Sequence, residues 1–141
     1  TLKQRYPNLR QVLLTSRIYA GYATIPLNPE PYAYEGGFAV KWLIEAQVRQ
    51  MASGGTIIDP VAGNLDYNNG TAPWIAWGPY LWADGTHPRS DGLTWPRSDL
   101  DPVDGTHPSN AGELKVGGIL LTYFLNSSHT ACWFAKTGTC P

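Results

Sequence analysis

The sequence predicts an α/β domain with a small, mainly parallel sheet, flanked by helices and joined by long ordered loops. Three observations predict it. Leu9 to Thr15 (LRQVLLT) is a short apolar run without polar alternation, the pattern of a parallel strand covered on both faces. Phe38 to Met51 has helical periodicity, and Thr56-Ile57-Ile58 follows it as a second short apolar run. Strand, connection, helix and strand therefore succeed one another as in a crossover unit. Third, the 141 residues include Gly 15, Pro 12, Trp 6 and Tyr 8 but only 15% charged residues, against about 25% in ordinary domains. That composition excludes a coiled coil, a collagen-like fibre and a disordered tail, and describes loops held down by aromatic packing.

In chain order, Pro7 precedes the first strand, and Ser16-Arg17 follows it. From Ile18 to Gly37 the residues Gly21, Pro26, Pro29, Pro31 and Gly36-Gly37 leave no room for a helix, while Tyr19, Tyr22, Tyr32 and Tyr34 pack this connection down. In the helix, Lys41, Glu45 and Arg49 form a solvated stripe, with Glu45 placed to pair with Arg49. Val40, Ile44 and Val48 form an apolar row at the same spacing, and Leu43, Ala46, Gln47 and Gln50 fill the remaining arc. Gly54-Gly55 ends the helix, and Asp59-Pro60 stops the second strand. From Ala62 to Val103 no period survives, yet Trp74, Trp77, Trp82 and Trp95 lie there, so a folded loop is expected. The last element, Ser109 to Leu125, is a helix started by Asn110 with Glu113 three residues on. Val116, Leu120, Tyr123 and Phe124 give it an apolar face, and Gly117-Gly118 calls for a closely packed neighbour.

Charge and motif spacing exclude several functions. The net charge is -1 and no Lys/Arg run exists, so a nucleic-acid partner is not expected. Val116 to Leu125 is about half the length of a membrane span. The chain opens on Thr1 and not on Met, which leads us to expect a processed or fragmentary chain. Cys132 and Cys140 either close a small disulfide loop or remain two thiols; their spacing is no zinc pattern. Asp91, Asp99, Asp101 and Asp104 do not follow the spacing of a calcium loop, and neither a metal nor a cofactor is expected.

The pentapeptide Asp-Gly-Thr-His-Pro occurs at Asp84 to Pro88 and again at Asp104 to Pro108. A carboxylate three residues before a histidine can fold back and accept the ring Nδ1–H, leaving Nε2 free as a base. The same spacing also suits a plain turn in which Asp bonds its own backbone. His107 sits at a rigid loop-to-helix junction, whereas His87 is followed by polar loop residues, so His107 is the better base. His129 lies in a polar tail and is read as solvated. Ser16 ends the first strand, the edge at which open α/β sheets place ligands, and Arg17 beside it could favour an anionic intermediate. Ser16 reads either as a nucleophile within reach of His107 or as a serine that merely ends a strand. Trp77, Tyr80 and Trp82 make either a platform for sugar rings or acyl groups, or the minor core that pins the loop.

The stretch Asp104-Gly-Thr-His107-Pro-Ser-Asn-Ala-Gly before a C-terminal helix resembles the closing block of the SGNH (GDSL-type) hydrolases. Ser16-Arg-Ile-Tyr-Ala-Gly-Tyr, Leu27-Asn-Pro-Glu-Pro-Tyr and Trp77-Gly-Pro-Tyr-Leu-Trp-Ala-Asp-Gly resemble a secreted bacterial branch of that family. The resemblance covers only the C-terminal part of a three-layer SGNH domain. It implies that Asp104 and His107 are two members of a Ser-His-Asp triad, and it assigns no role to Ser16. The family's Gly-Asp-Ser block, oxyanion glycine block and Gly-x-Asn-Asp block have no counterpart; Gly63-Asn64-Leu65-Asp66 imitates the last only superficially.

The expectation is thus a single, incomplete α/β domain over residues 1–141, secreted or periplasmic. It hydrolyses a small acyl ester, acetylated sugar or lipid by acyl transfer, with His107, Asp104 and Ser16 as catalytic candidates and Arg17, Trp77, Tyr80 and Trp82 at the substrate. Its open sheet edge invites a homo-oligomer or a partner chain completing the sheet. The competing expectation is a non-catalytic carbohydrate-binding or self-assembling module on the same scaffold.

Overall fold

Neighbouring hydrogen bonds, and not apolar content alone, decide which short run becomes the second strand. The computed structural model describes residues 2–135 and contains both helix and strand. A short α1 (Leu2–Arg5) precedes β1 (Gln11–Leu14); α2 (Tyr32–Ala52) leads to β2 (Trp74–Trp77); a 3-10 turn (Arg97–Asp99) leads to α3 (Asn110–Asn126) and a short α4 (Ala131–Phe134). The two strands are parallel, with Gln11 opposite Trp74 and Leu14 opposite Trp77. An α/β architecture with a small parallel sheet is therefore present.

The partner of β1 is not the expected one. Thr56-Ile57-Ile58 forms no strand, and both isoleucines are exposed. β2 instead lies inside the stretch read as lacking strand period, bounded by Pro73 and by Gly78-Pro79. Gln47 explains the choice. Its side-chain oxygen accepts the Ile75 N–H (2.7 Å), and its amide nitrogen donates to the carbonyls of Pro73 (2.9 Å) and Leu65 (2.8 Å). Gln50 does the same one turn on, donating to Gly63 O and accepting Leu65 N–H. Two helical glutamines thus satisfy backbone groups that a neighbouring strand would otherwise satisfy.

α2 also starts earlier than expected, within the connection read as having no room for a helix. Pro31 occupies its N-cap position, and the helix begins at Tyr32, where a proline just upstream is compatible with an unsatisfied first turn. Glu30 Oε2 accepts the Tyr34 N–H, a bond the missing side-chain cap would have made. Gly37 is tolerated in the helix because the Tyr80 ring lies over it, 3.1 Å from where a Cβ would stand.

The buried face of α2 is Ala33, Gly37, Ala46, Gln47 and Gln50, not the expected Val40–Ile44–Val48 row, whose Val48 is 59% exposed. Small residues and hydrogen-bonding glutamines form the inner surface because it meets backbone. The expected Glu45–Arg49 pair is replaced by Lys41–Glu45 (2.8 Å) and Arg49–Asp59 (3.5 Å).

The long loop is folded, as expected, and builds the core. Ala83, Trp95 and Leu100 are fully buried, with Ile18, Tyr19, Tyr22, Leu93 and Val116 packed around them. Trp95 donates Nε1–H to Leu81 O (2.7 Å), and the Lys115 ammonium lies 4.7 Å from the centre of its ring while bonding Asp99 Oδ2 (2.8 Å). α3 is capped by Ser109, one residue before the expected Asn110; its Oγ accepts the Gly112 N–H. Gly112, not the Gly117-Gly118 pair, is the glycine that permits close approach, since a Cβ there would collide with the Asp99 carbonyl. Nothing lies within 4 Å of the Cβ positions of Gly117 and Gly118. Cys132 lies in α4, while Cys140, and with it the choice between a disulfide loop and two thiols, lies outside the described residues.

Candidate functional site

Asp104 divides its carboxylate between two tasks. Oδ1 accepts the N–H groups of Thr106 (2.8 Å) and His107 (3.0 Å), closing a turn, and Oδ2 lies 2.5 Å from His107 Nδ1. The turn and the dyad, open alternatives on spacing alone, are both formed by one side chain. An ionised carboxylate only accepts, so the proton of this bond sits on Nδ1 and the lone pair of the neutral ring sits on Nε2. The bond from His107, and then those from the Thr106 and His107 backbone, lower the Asp104 pKa from 3.8 to about 2. His107 itself is 63% exposed, and its Nε2 has no hydrogen-bond partner among the described residues.

The loop that carries the pair is rigidly tied. Asp101 Oδ1 accepts the N–H of Val103 (2.7 Å) and of Asp104 (3.2 Å), and the Asp101 N–H donates to His107 O (2.7 Å). Arg97 donates to the carbonyls of Leu100, Asp101 and Pro102. The Thr24 N–H donates to Asp104 O (3.0 Å), pinning the loop to the tyrosine-rich connection. Gly105 has φ +63 and sits directly on the Tyr22 carbonyl, a position no side chain could share. Ser109 then starts α3, so the histidine stands at the helix junction expected for it.

The first pentapeptide differs. Asp84 Oδ2 and His87 Nδ1 are 3.5 Å apart, with the histidine 84% exposed, and the His87 N–H bonds the Asp84 backbone oxygen instead of its carboxylate. Downstream, Arg89 grips Asp91 with two bonds and donates to the carbonyls of Tyr80 and Trp82, which orders the loop without orienting the histidine.

Ser16 is buried directly beyond β1. Its Oγ accepts the N–H groups of Leu81 (2.8 Å) and Trp82 (3.1 Å), and no hydrogen bond joins it to His107 among the described residues. Arg17 is half-buried and makes no side-chain hydrogen bond or ion pair among the described residues. Trp77 and Tyr80 meet edge to face, 5.9 Å between ring centres, with the Arg89 guanidinium 5.4 Å from the Tyr80 centre. The Trp77 carbonyl accepts the Tyr123 hydroxyl. Asn64 and Asp66 cap local turns. His129 is exposed, as read from its polar surroundings, and its ring meets Trp74.

Trp82 leads to a feature that sequence reading missed. It lines a cavity of about 290 Å³ with Tyr19, Glu30, Pro31, Tyr34 and Asp84. Its Nε1–H donates to Glu30 Oε1 (2.6 Å), and that oxygen also accepts the Ala20 N–H (3.1 Å). The available signal was Glu30, a lone acid between two prolines amid tyrosines. No family model, curated protein or solved structure matches the chain.

Proposed function

We propose that the chain serves carboxylic-ester hydrolysis, with His107 as general base and Asp104 as the carboxylate that fixes its tautomer. The observation that supports this reading is the Asp104 Oδ2–His107 Nδ1 bond of 2.5 Å on a loop tied at both ends, with Nε2 facing no protein partner among the described residues. Nε2 takes the proton of the attacking hydroxyl, Asp104 steadies the imidazolium, and the same proton then passes to the departing alkoxide. Ser16, held by two backbone N–H groups, acts in this reading as the anchor of the Leu81–Trp82 loop. The attacking hydroxyl is then water on an activated ester, or a serine brought by a chain that completes the sheet. Small acyl esters, acetylated sugars and lipids are the substrate class, in a secreted or periplasmic setting. The resemblance of the closing block to SGNH hydrolases supports the same assignment.

The test is hydrolysis of a short-chain chromogenic acetate by the chain and its variants. His107→Ala is expected to lower the rate above background by about 10²-fold or more, the range of a lost general base, while Ser16→Ala, checked for folding, retains it. Equal rates for the chain and His107→Ala overturn the proposal. A second reading, a self-assembling module, is favoured by one observation: Trp42 on α2 and Leu114 and Leu121 on α3 are large apolar side chains that stand exposed.

A further inference from the structure

The two copies of Asp-Gly-Thr-His-Pro do different work. The second builds the dyad. The first contributes Asp84 to the wall of the aromatic cavity, beside Tyr19, Tyr34 and Trp82. We propose that this cavity is a binding site for an organic cation of the alkylammonium class, held against the rings of Trp82, Tyr34 and Tyr19 and attracted by Glu30 and Asp84.

The walls carry the chemistry. The Tyr34 and Trp82 ring centres are 4.7 Å apart and tilted at 56°, and Tyr19 lies 6.5 Å from Trp82 at 61°, so the three rings pack on one another as a single aromatic wall of the cavity. Aromatic rings attract cations through their quadrupole. Two carboxylates line the cavity, and among the described residues no Lys or Arg does. Among the described residues Glu30 is bonded only by neutral donors, the N–H groups of Ala20 and Tyr34 and the indole of Trp82, so none of these bonds cancels its negative charge. Those three bonds also separate a cation from a sugar. They occupy most of the acceptor sites on Glu30, leaving few for hydroxyl groups, whereas its field still reaches the cavity. Burial, followed by the charge of Asp84, pushes the Tyr19 hydroxyl above its usual pKa, in keeping with a negative potential there.

The site is held open by packing. Tyr19 meets Tyr22 edge to face at 5.1 Å, and Gly85, at φ +52, places its backbone against both rings. Trp82 is fixed through its indole bond to Glu30 and through the Ser16 Oγ that accepts its N–H. The proposal does not depend on catalysis, and its test reads binding alone.

The experiment is titration of the full chain with tetramethylammonium chloride, followed by tryptophan fluorescence and calorimetry at constant ionic strength, with sodium chloride and glucose as parallel titrants. Saturable binding of tetramethylammonium, without saturation by sodium or glucose, is expected. Trp82→Leu should weaken it by about 3- to 30-fold, the range of one cation–π contact. Asp84→Lys, at an exposed site that leaves the fold intact, should abolish it even if Trp82→Leu fails to fold. Absence of saturation, equal binding of glucose, or full binding by Asp84→Lys overturns the proposal, whatever the outcome of the ester assay.

Discussion

With one carboxylate Asp104 both closes a turn and holds the His107 ring. Asparagine can still close the turn through its remaining oxygen, but its amide would donate to the ring and reverse the tautomer. Asp104→Asn is therefore expected to keep the melting temperature within a few degrees and to lower His107-dependent ester hydrolysis by about 10²- to 10⁴-fold. The pH sign follows from the depressed pKa. The stabilising effect of the Asp104 carboxylate is fully present above 3.8 and is lost as pH falls through about 2. Carboxyl-carbon NMR should place its midpoint near the lower value, with Asp91 alongside it, lowered to about 2 chiefly by its bond to Arg89. A midpoint at the ordinary carboxylate value would show that the bond to His107 does not persist in solution. Spacing alone suggested the pair, because the i to i+3 reach through a glycine is local. The residues that follow each copy, Pro108 and a capped helix against a polar loop, ranked His107 above His87. Arg97 and Asp101, from the segment just before it, and Tyr22, from the distant tyrosine-rich connection, brace the second copy.

At the level of elements, the contact between α2 and β2 depends on two glutamines. Gln47→Leu preserves the helix and the side-chain size but leaves the Ile75 N–H and the Pro73 and Leu65 carbonyls without their partner. A loss of about 3 kcal/mol is expected in urea unfolding, the cost of stranding several buried polar groups. Ser109→Ala, which removes the α3 cap, should cost about 1 kcal/mol by the same measurement. The α2 helix was legible over Phe38 to Met51 because its period is strong. Its inner face was not, because apolar spacing selects Val40, Ile44 and Val48, whereas the surface it meets is backbone and demands amides. Likewise Trp74–Trp77 resembles any aromatic loop segment until Gln47 and β1 supply its hydrogen bonds.

For the whole molecule, the informative quantity is surface. Trp42 on α2 and Leu114 and Leu121 on α3 stand exposed, Leu114 at 79%, as apolar side chains that a second copy could cover. Concentration-dependent association is therefore expected in sedimentation velocity, and Leu114→Glu with Leu121→Glu should reduce it; a monomer at every concentration would count against this reading. Among the described residues no helix is long and apolar enough to cross a membrane, so these faces are not spans. By itself, the sequence determined the parallel first strand, the long helix, the packed aromatic loop and the Asp104–His107 spacing, because each rests on neighbours a few positions apart. Only the tertiary structure decided the second strand, the buried face of α2, the hydrogen bonds of Ser16 and the cavity of Tyr19, Glu30, Tyr34, Trp82 and Asp84. These depend on hydrogen bonds and ring contacts between residues tens of positions apart, and local periodicity carries no record of such partners.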